Sequence, residues 1–112
     1  MNKAIPNVPI ELDKPRHLRL SFLAFAKFKE ATGRPLLSAL GKLDEDMELM
    51  ATAVWAGLLH EDPDLRLETV QDLCGPANQE YVQSAFMEAF LGATPKQEKK
   101  AKNVASLPNG TG

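Results

Sequence analysis

Apolar residues recur along this chain with two different periods. Val8, Ile10 and Leu12 alternate with Pro9 and Glu11, and Leu18, Leu20 and Phe22 alternate with Arg19 and Ser21. Alternation of period two on both sides of Asp13-Lys14-Pro15-Arg16 predicts a short β-hairpin. Pro9 has no N–H to give to a ladder, which assigns the first strand to an edge. A lone hairpin is marginal in water, so its apolar face must lie on other elements.

From Ser21 the period lengthens to that of a helix. Ser21 is a candidate N-cap for a helix to Thr32, with Gly33 as its left-handed stop. Its apolar residues Phe22, Leu23, Ala24, Phe25, Ala26, Phe28 and Ala31 occupy more than one face. Pro35 opens a short helix, Leu36 to Leu40, which Gly41 is expected to end. Asp44 stands where a cap is needed for the next helix, and Glu45, Asp46 and Glu48 suit its positive N-terminal end. From Met47 to His60 that helix is apolar nearly all round, which predicts a central, buried element. Gly57 inside it costs about 1 kcal/mol of helix propensity, a cost that suggests a close backbone crossing. Glu61-Asp62-Pro63-Asp64 reads as a turn, because Pro63 disfavours helix at Asp62. A short helix from Leu67 to Cys74 should end at Gly75-Pro76, after which Asn78 caps a final helix. In that helix Val82, Ala85, Phe86, Ala89 and Phe90 form one stripe, with Gly92 as the expected stop. Residues 93–112 show almost no apolar pattern and read as a disordered polar, basic tail. The expected fold is mainly α: an N-terminal short β-hairpin packed on a compact bundle of about five helices, one domain over residues 1–92.

Composition narrows the classes. With 44% apolar, 25% charged and 6% aromatic residues in 112, the profile is that of an ordinary soluble domain. The single cysteine, Cys74, excludes an intrachain disulfide framework and fits a reducing cytosol. The longest uncharged apolar run, Leu49 to Leu59, is too short to cross a bilayer, and the opening Met1-Asn2-Lys3-Ala4-Ile5-Pro6 lacks the apolar core of a signal peptide. The net charge of −2 is segregated. Residues 1–42 carry eight Lys/Arg against three Asp/Glu, net +5; residues 43–92 carry eleven Asp/Glu against Arg66 alone, net −10; the remainder is net +3. The opposed halves could pair within one molecule or between copies.

Candidate chemistry is sparse. His60-Glu61 lacks a second histidine four positions on, and the other histidine, His17, falls in the hairpin. Two His and one Cys leave a zinc site dependent on carboxylates that no spacing specifies. Cys74 has no motif supplying a base, the acidic cluster Glu61, Asp62 and Asp64 lacks the spacing of a calcium loop, and no glycine-rich phosphate loop is present. The expectation is a non-enzyme with no catalytic residue, cofactor or metal. The aromatic set Phe22, Phe25 and Phe28 reads either as plain core or as core plus a partner-binding patch.

Three features together resemble the small tail assembly chaperones of long-tailed, siphovirus-like bacteriophages and prophages. The first is the hairpin followed by Leu18-Arg19-Leu20-Ser21-Phe22 and a helix ending Glu30-Ala31-Thr32-Gly33. The second is the block Trp55-Ala56-Gly57-Leu58-Leu59-His60-Glu61-Asp62-Pro63, of which Leu59 is the variable position. The third is a closing helix pair before a charged tail; the resemblance spans about residues 8–92. One departure stands out: after the Asp-Pro turn such sequences often have a Thr cap and an acidic residue three positions later, where this chain has Arg66 and Thr69.

The resemblance implies a protein of the bacterial host cytoplasm that is absent from the mature virion. Its implied partners are the tape measure protein, which it coats, the tail tube protein, which it helps recruit, and a frameshifted longer form of itself. Phe22, Phe25, Phe28 and Trp55 are the candidate anchors. The segregated charge would favour weak, head-to-tail homo-oligomers, with no nucleic acid or membrane as partner. The alternatives are a structural head–tail connector or minor tail protein and, further off, a small DNA-binding regulator. For the last, Met47 to Cys74 could be drawn as helix-turn-helix, but its second helix carries Glu68 and Asp72 with no cation beyond Arg66.

Overall fold

The computed structural model describes residues 5–94. Strands β1 (Val8–Glu11) and β2 (Pro15–Leu18) pair antiparallel, with Val8 opposite Leu18 and Ile10 opposite Arg16. The helices α1 (Phe22–Thr32), α2 (Leu36–Ala39), α3 (Met47–Leu58), α4 (Leu67–Leu73) and α5 (Gln79–Ala93) follow, with a 3-10 turn at Leu40–Lys42. The chain is therefore mainly helical with an N-terminal hairpin, as its pattern predicts. Of the proposed tail, residues 95–112 lie outside the described residues.

The core forms because each element contributes one apolar face to the same volume. Val8, Ile10, Leu18 and Leu20 from the hairpin meet Ala24 and Phe28 of α1, Leu36 and Ala39 of α2, Val70 of α4, and Val82, Phe86 and Ala89 of α5. They close around α3, in which Met50 through Val54 and Ala56 through Leu58 are buried. Gly57 is the crossing point. A β-carbon there would lie 3.0 Å from Leu18 Cδ2 and 3.2 Å from Leu20 Cδ2, and the Arg19 N–H donates to the Gly57 carbonyl at 2.9 Å. A side chain would hold β2 away from α3, so the propensity lost at glycine is exchanged for backbone contact.

Local details depart from expectation at four places. Asp46, not Asp44, caps α3: its Oδ1 accepts from the backbone N–H groups of Glu48 and Leu49, both at 3.1 Å. Gly41 does not stop α2, since the chain passes through it in the 3-10 turn. Asn78 precedes α5 without capping it by its side chain; its Oδ1 accepts from Gly75 N and its Nδ2 donates to the Leu73 carbonyl, tying the α4–α5 connection together. Helix α5 runs through Gly92 to Ala93, and Gly92 instead lies against Pro6, whose Cγ would be 2.7 Å from a β-carbon there. Ser21 does precede α1 with extended backbone, although its side chain makes no capping bond, and Gly33 ends α1 at φ +79°, donating to the Lys29 carbonyl at 2.8 Å.

Candidate functional site

The outer edge of β2 is where the charged residues converge. His17 and Arg19 point their backbone groups away from β1: the His17 N–H donates to Glu61 Oε1 at 3.0 Å, the His17 carbonyl accepts from His60 Nε2 at 2.7 Å, and Arg19 reaches Gly57 as above. Because antiparallel pairs alternate, the ladder bonds fall at Val8–Leu18 and Ile10–Arg16, and Pro9 and Pro15 sit in pairs that ask no N–H of them. The N–H of Glu11 likewise faces outward and donates to the Tyr81 hydroxyl at 2.7 Å, joining β1 to α5.

Arg16 lies on the core side of the hairpin, opposite Ile10, with its side chain only 6% exposed. Its Nε and Nη2 bond both oxygens of Asp13 at 2.8 and 3.0 Å, and its Nη1 reaches Asp62 Oδ2 at 3.2 Å. A buried guanidinium requires such partners. The hydrogen bond from Arg16 holds the Asp13 carboxyl down at about 2, and the same contact raises Arg16 further above its ordinary value. His17 Nδ1 donates to Glu61 Oε2 at 2.7 Å. Burial pushes the Glu61 carboxyl up, but the side-chain and backbone bonds from His17 outweigh it and leave Glu61 below its ordinary value.

The Trp55–Pro63 block thus works inside the fold. Trp55 is half-buried and its Nε1 donates to the Leu65 carbonyl at 2.9 Å; Ala56 and Leu58 are core; Gly57 is the crossing; His60, Glu61 and Asp62 clasp Arg16 and His17; Pro63 is exposed in the turn. The pairing of basic and acidic halves occurs within one molecule at these contacts. Sequence reading missed Arg16, although the parity of Leu18 and Leu20 carried back two residues puts it on the inward face. Its partner Asp62 lies 46 positions away and leaves no local signal.

The four candidate anchors fare differently. Phe28 is 0% exposed, filling the core between α1 and α3, so it offers nothing to a partner in the folded state. Phe25 and Trp55 are half-buried. Phe22 is 93% exposed, and with Leu23 at 45% and the exposed Ala26 it makes an apolar strip on the first turns of α1. Its direction follows from helical spacing: burying Ala24 and Phe28 four residues apart turns positions 22, 23 and 26 outward.

Cys74 is half-buried, and burial pushes its thiol up, away from the reactive thiolate. Among the described residues no three His, Cys, Asp or Glu side chains gather as they would to hold a metal ion, and no helix is long and apolar enough to cross a membrane. Arg66 precedes α4 without a side-chain cap and lies 3.5 Å from Glu68, so this seven-residue helix starts uncapped. Compared with known proteins, the chain matches no family model, no curated protein and no solved structure.

Proposed function

We propose that this chain is a tail assembly chaperone of a long-tailed bacteriophage or prophage. In this reading it binds the tape measure protein in the host cytoplasm, helps recruit tail tube subunits, and is left out of the mature virion. The observation that carries the reading is the Phe22–Leu23–Ala26 strip, in which Phe22, 93% exposed, is the most exposed large apolar side chain among the described residues. Within the resemblance, the Trp55–Pro63 block largely serves to hold α3 to the hairpin, and the α1 strip is a surface of suitable chemistry for a partner. Fully burying one large apolar side chain is worth about 1.5–3 kcal/mol. A few such contacts per copy give weak binding, which suits many copies covering a long apolar chain and being displaced by tube subunits. Phe22 is the principal anchor, Phe25 and Trp55 contribute through their open edges, and Phe28 has a structural role.

The test is co-expression with the tape measure protein encoded nearby, followed by affinity capture and size exclusion. Wild type should give a soluble complex that Phe22→Asp with Leu23→Asp abolishes while the melting temperature holds. A tape measure chain soluble by itself and indifferent to this protein would overturn the reading, and finding this chain in finished particles by mass spectrometry would replace it with the connector. Self-association driven by the segregated charge should weaken as salt rises. The helix-turn-helix alternative has no comparable surface: the exposed positions of α4, Glu68, Thr69, Gln71 and Asp72, carry no cation to meet phosphate.

A further inference from the structure

Away from the α1 strip, a second apolar surface opens where α3 faces the α4–α5 junction. Met47, Ala51 and Cys74, with Glu48 and Gln71, line a solvent-open groove of about 300 Å³, and Met50 and Val82 border a dimple of about 20 Å³ beside it. The groove is at the lower end of the roughly 300–1,000 Å³ of small-molecule pockets and has room for one or two aliphatic side chains. Methionines at the wall can adjust to such an occupant. Past Met47 the surface turns acidic, with Glu45, Asp46 and Glu48 beside Lys42. An occupant should therefore be an apolar segment preceded or followed by cations.

The chain contains one. From 96 to 107 it reads Lys-Gln-Glu-Lys-Lys-Ala-Lys-Asn-Val-Ala-Ser-Leu, a cationic run leading into Val104 and Leu107. Its four lysines against one glutamate oppose the −10 of residues 43–92. The distance is within reach. Val82 lies twelve residues before Thr94, about 18 Å back along α5 at about 1.5 Å per residue. The ten residues from Thr94 to Val104 can span up to about 33 Å. We propose that segment 96–107 docks in cis, with Val104 and Leu107 in the Met47–Ala51–Cys74 groove and Lys99, Lys100 and Lys102 on its acidic side. A short tether gives an effective concentration in the millimolar range, so a contact too weak to join two molecules holds within one. This inference stands independently of the tail assembly reading, since it uses neither the α1 strip nor any partner.

Cys74, the chain's single cysteine, lines the groove and reports its occupancy. The experiment compares the rate of Cys74 alkylation by iodoacetamide in the full chain, in V104D/L107D and in K99E/K100E/K102E, with melting temperatures measured alongside. A segment docked about nine-tenths of the time slows the reaction about tenfold, so V104D/L107D should react about tenfold faster than wild type at an unchanged melting temperature. The lysine variant should show a smaller increase, and high salt should reproduce it in wild type. Equal rates in all three proteins would overturn the proposal. Protection that vanishes on dilution would assign the groove to a second copy and overturn docking in cis.

Discussion

Replacing Gly57 by alanine sets two physical effects against each other in one atom. The added β-carbon would lie 3.0 Å from Leu18 Cδ2, 3.2 Å from Leu20 Cδ2 and 3.7 Å from Arg19 N. Carbon atoms prefer about 3.5–4.0 Å, so both methyls must retreat by a few tenths of an ångström. Leu18 and Leu20 are 0% and 2% exposed, so no open space receives them. Overpacking of this kind costs about 1–3 kcal/mol, while alanine in place of glycine returns about 1 kcal/mol of helix propensity. The net expectation is a loss of about 0–2 kcal/mol, and for a domain of this size each 1 kcal/mol lowers the melting temperature by about 4–8 °C. Urea unfolding followed by Trp55 fluorescence and far-UV circular dichroism measures it. Leu18→Val removes the nearer methyl and alone costs under about 1.5 kcal/mol; combined with Gly57→Ala it should be less harmful than the sum, by about 0.5 kcal/mol or more. Stabilisation by the full propensity gain, or single effects that add within error, would refute the crossing as the reason for glycine at this position.

Three further outcomes follow from the same geometry. Arg16→Gln should cost about 1–2 kcal/mol, because it unties charge-assisted bonds whose carboxylates are partly solvated and screened. It should also flatten the acid limb: Asp13 is depressed when folded, so its contribution is complete above pH 4, fades as pH falls toward 2, and is missing in the variant, which melting curves across that window will show. Phe28→Ala should cost about 3–5 kcal/mol by cavity formation, whereas Phe22→Ala should stay within about 0.5 kcal/mol; equal denaturation midpoints for the two would contradict the orientation of α1. Trp55→Phe should cost about 0.5–1.5 kcal/mol for the bond to the Leu65 carbonyl, and an unchanged urea midpoint would show that bond to be immaterial.

What the sequence determined by itself is whatever depends on near neighbours. Alternation marked the hairpin, the all-round apolarity of Met47 to His60 marked the central helix, which ends two residues earlier at Leu58, and Gly33 and Gly57 marked a left-handed stop and a crossing, because those signals come from backbone sterics and from the period of each element. Near-equivalent local choices were not legible: Asp44 and Asp46 are both good caps, and only the path of the 3-10 turn presents Asp46 to the first N–H groups of α3. The aromatic residues show the same limit. Phe22, Phe25 and Phe28 share one helix, yet one is exposed, one half-buried and one sealed, since the rotation of α1 is set by where α3 lies and not by anything within α1. Tertiary structure alone brought Arg16 to Asp62 and His17 to Glu61, residues more than forty positions apart. It thereby turned the Trp55–Pro63 block into the clasp between hairpin and helix. A hydrogen bond requires proximity in space, and for those pairs proximity exists only once α3 has packed across β2.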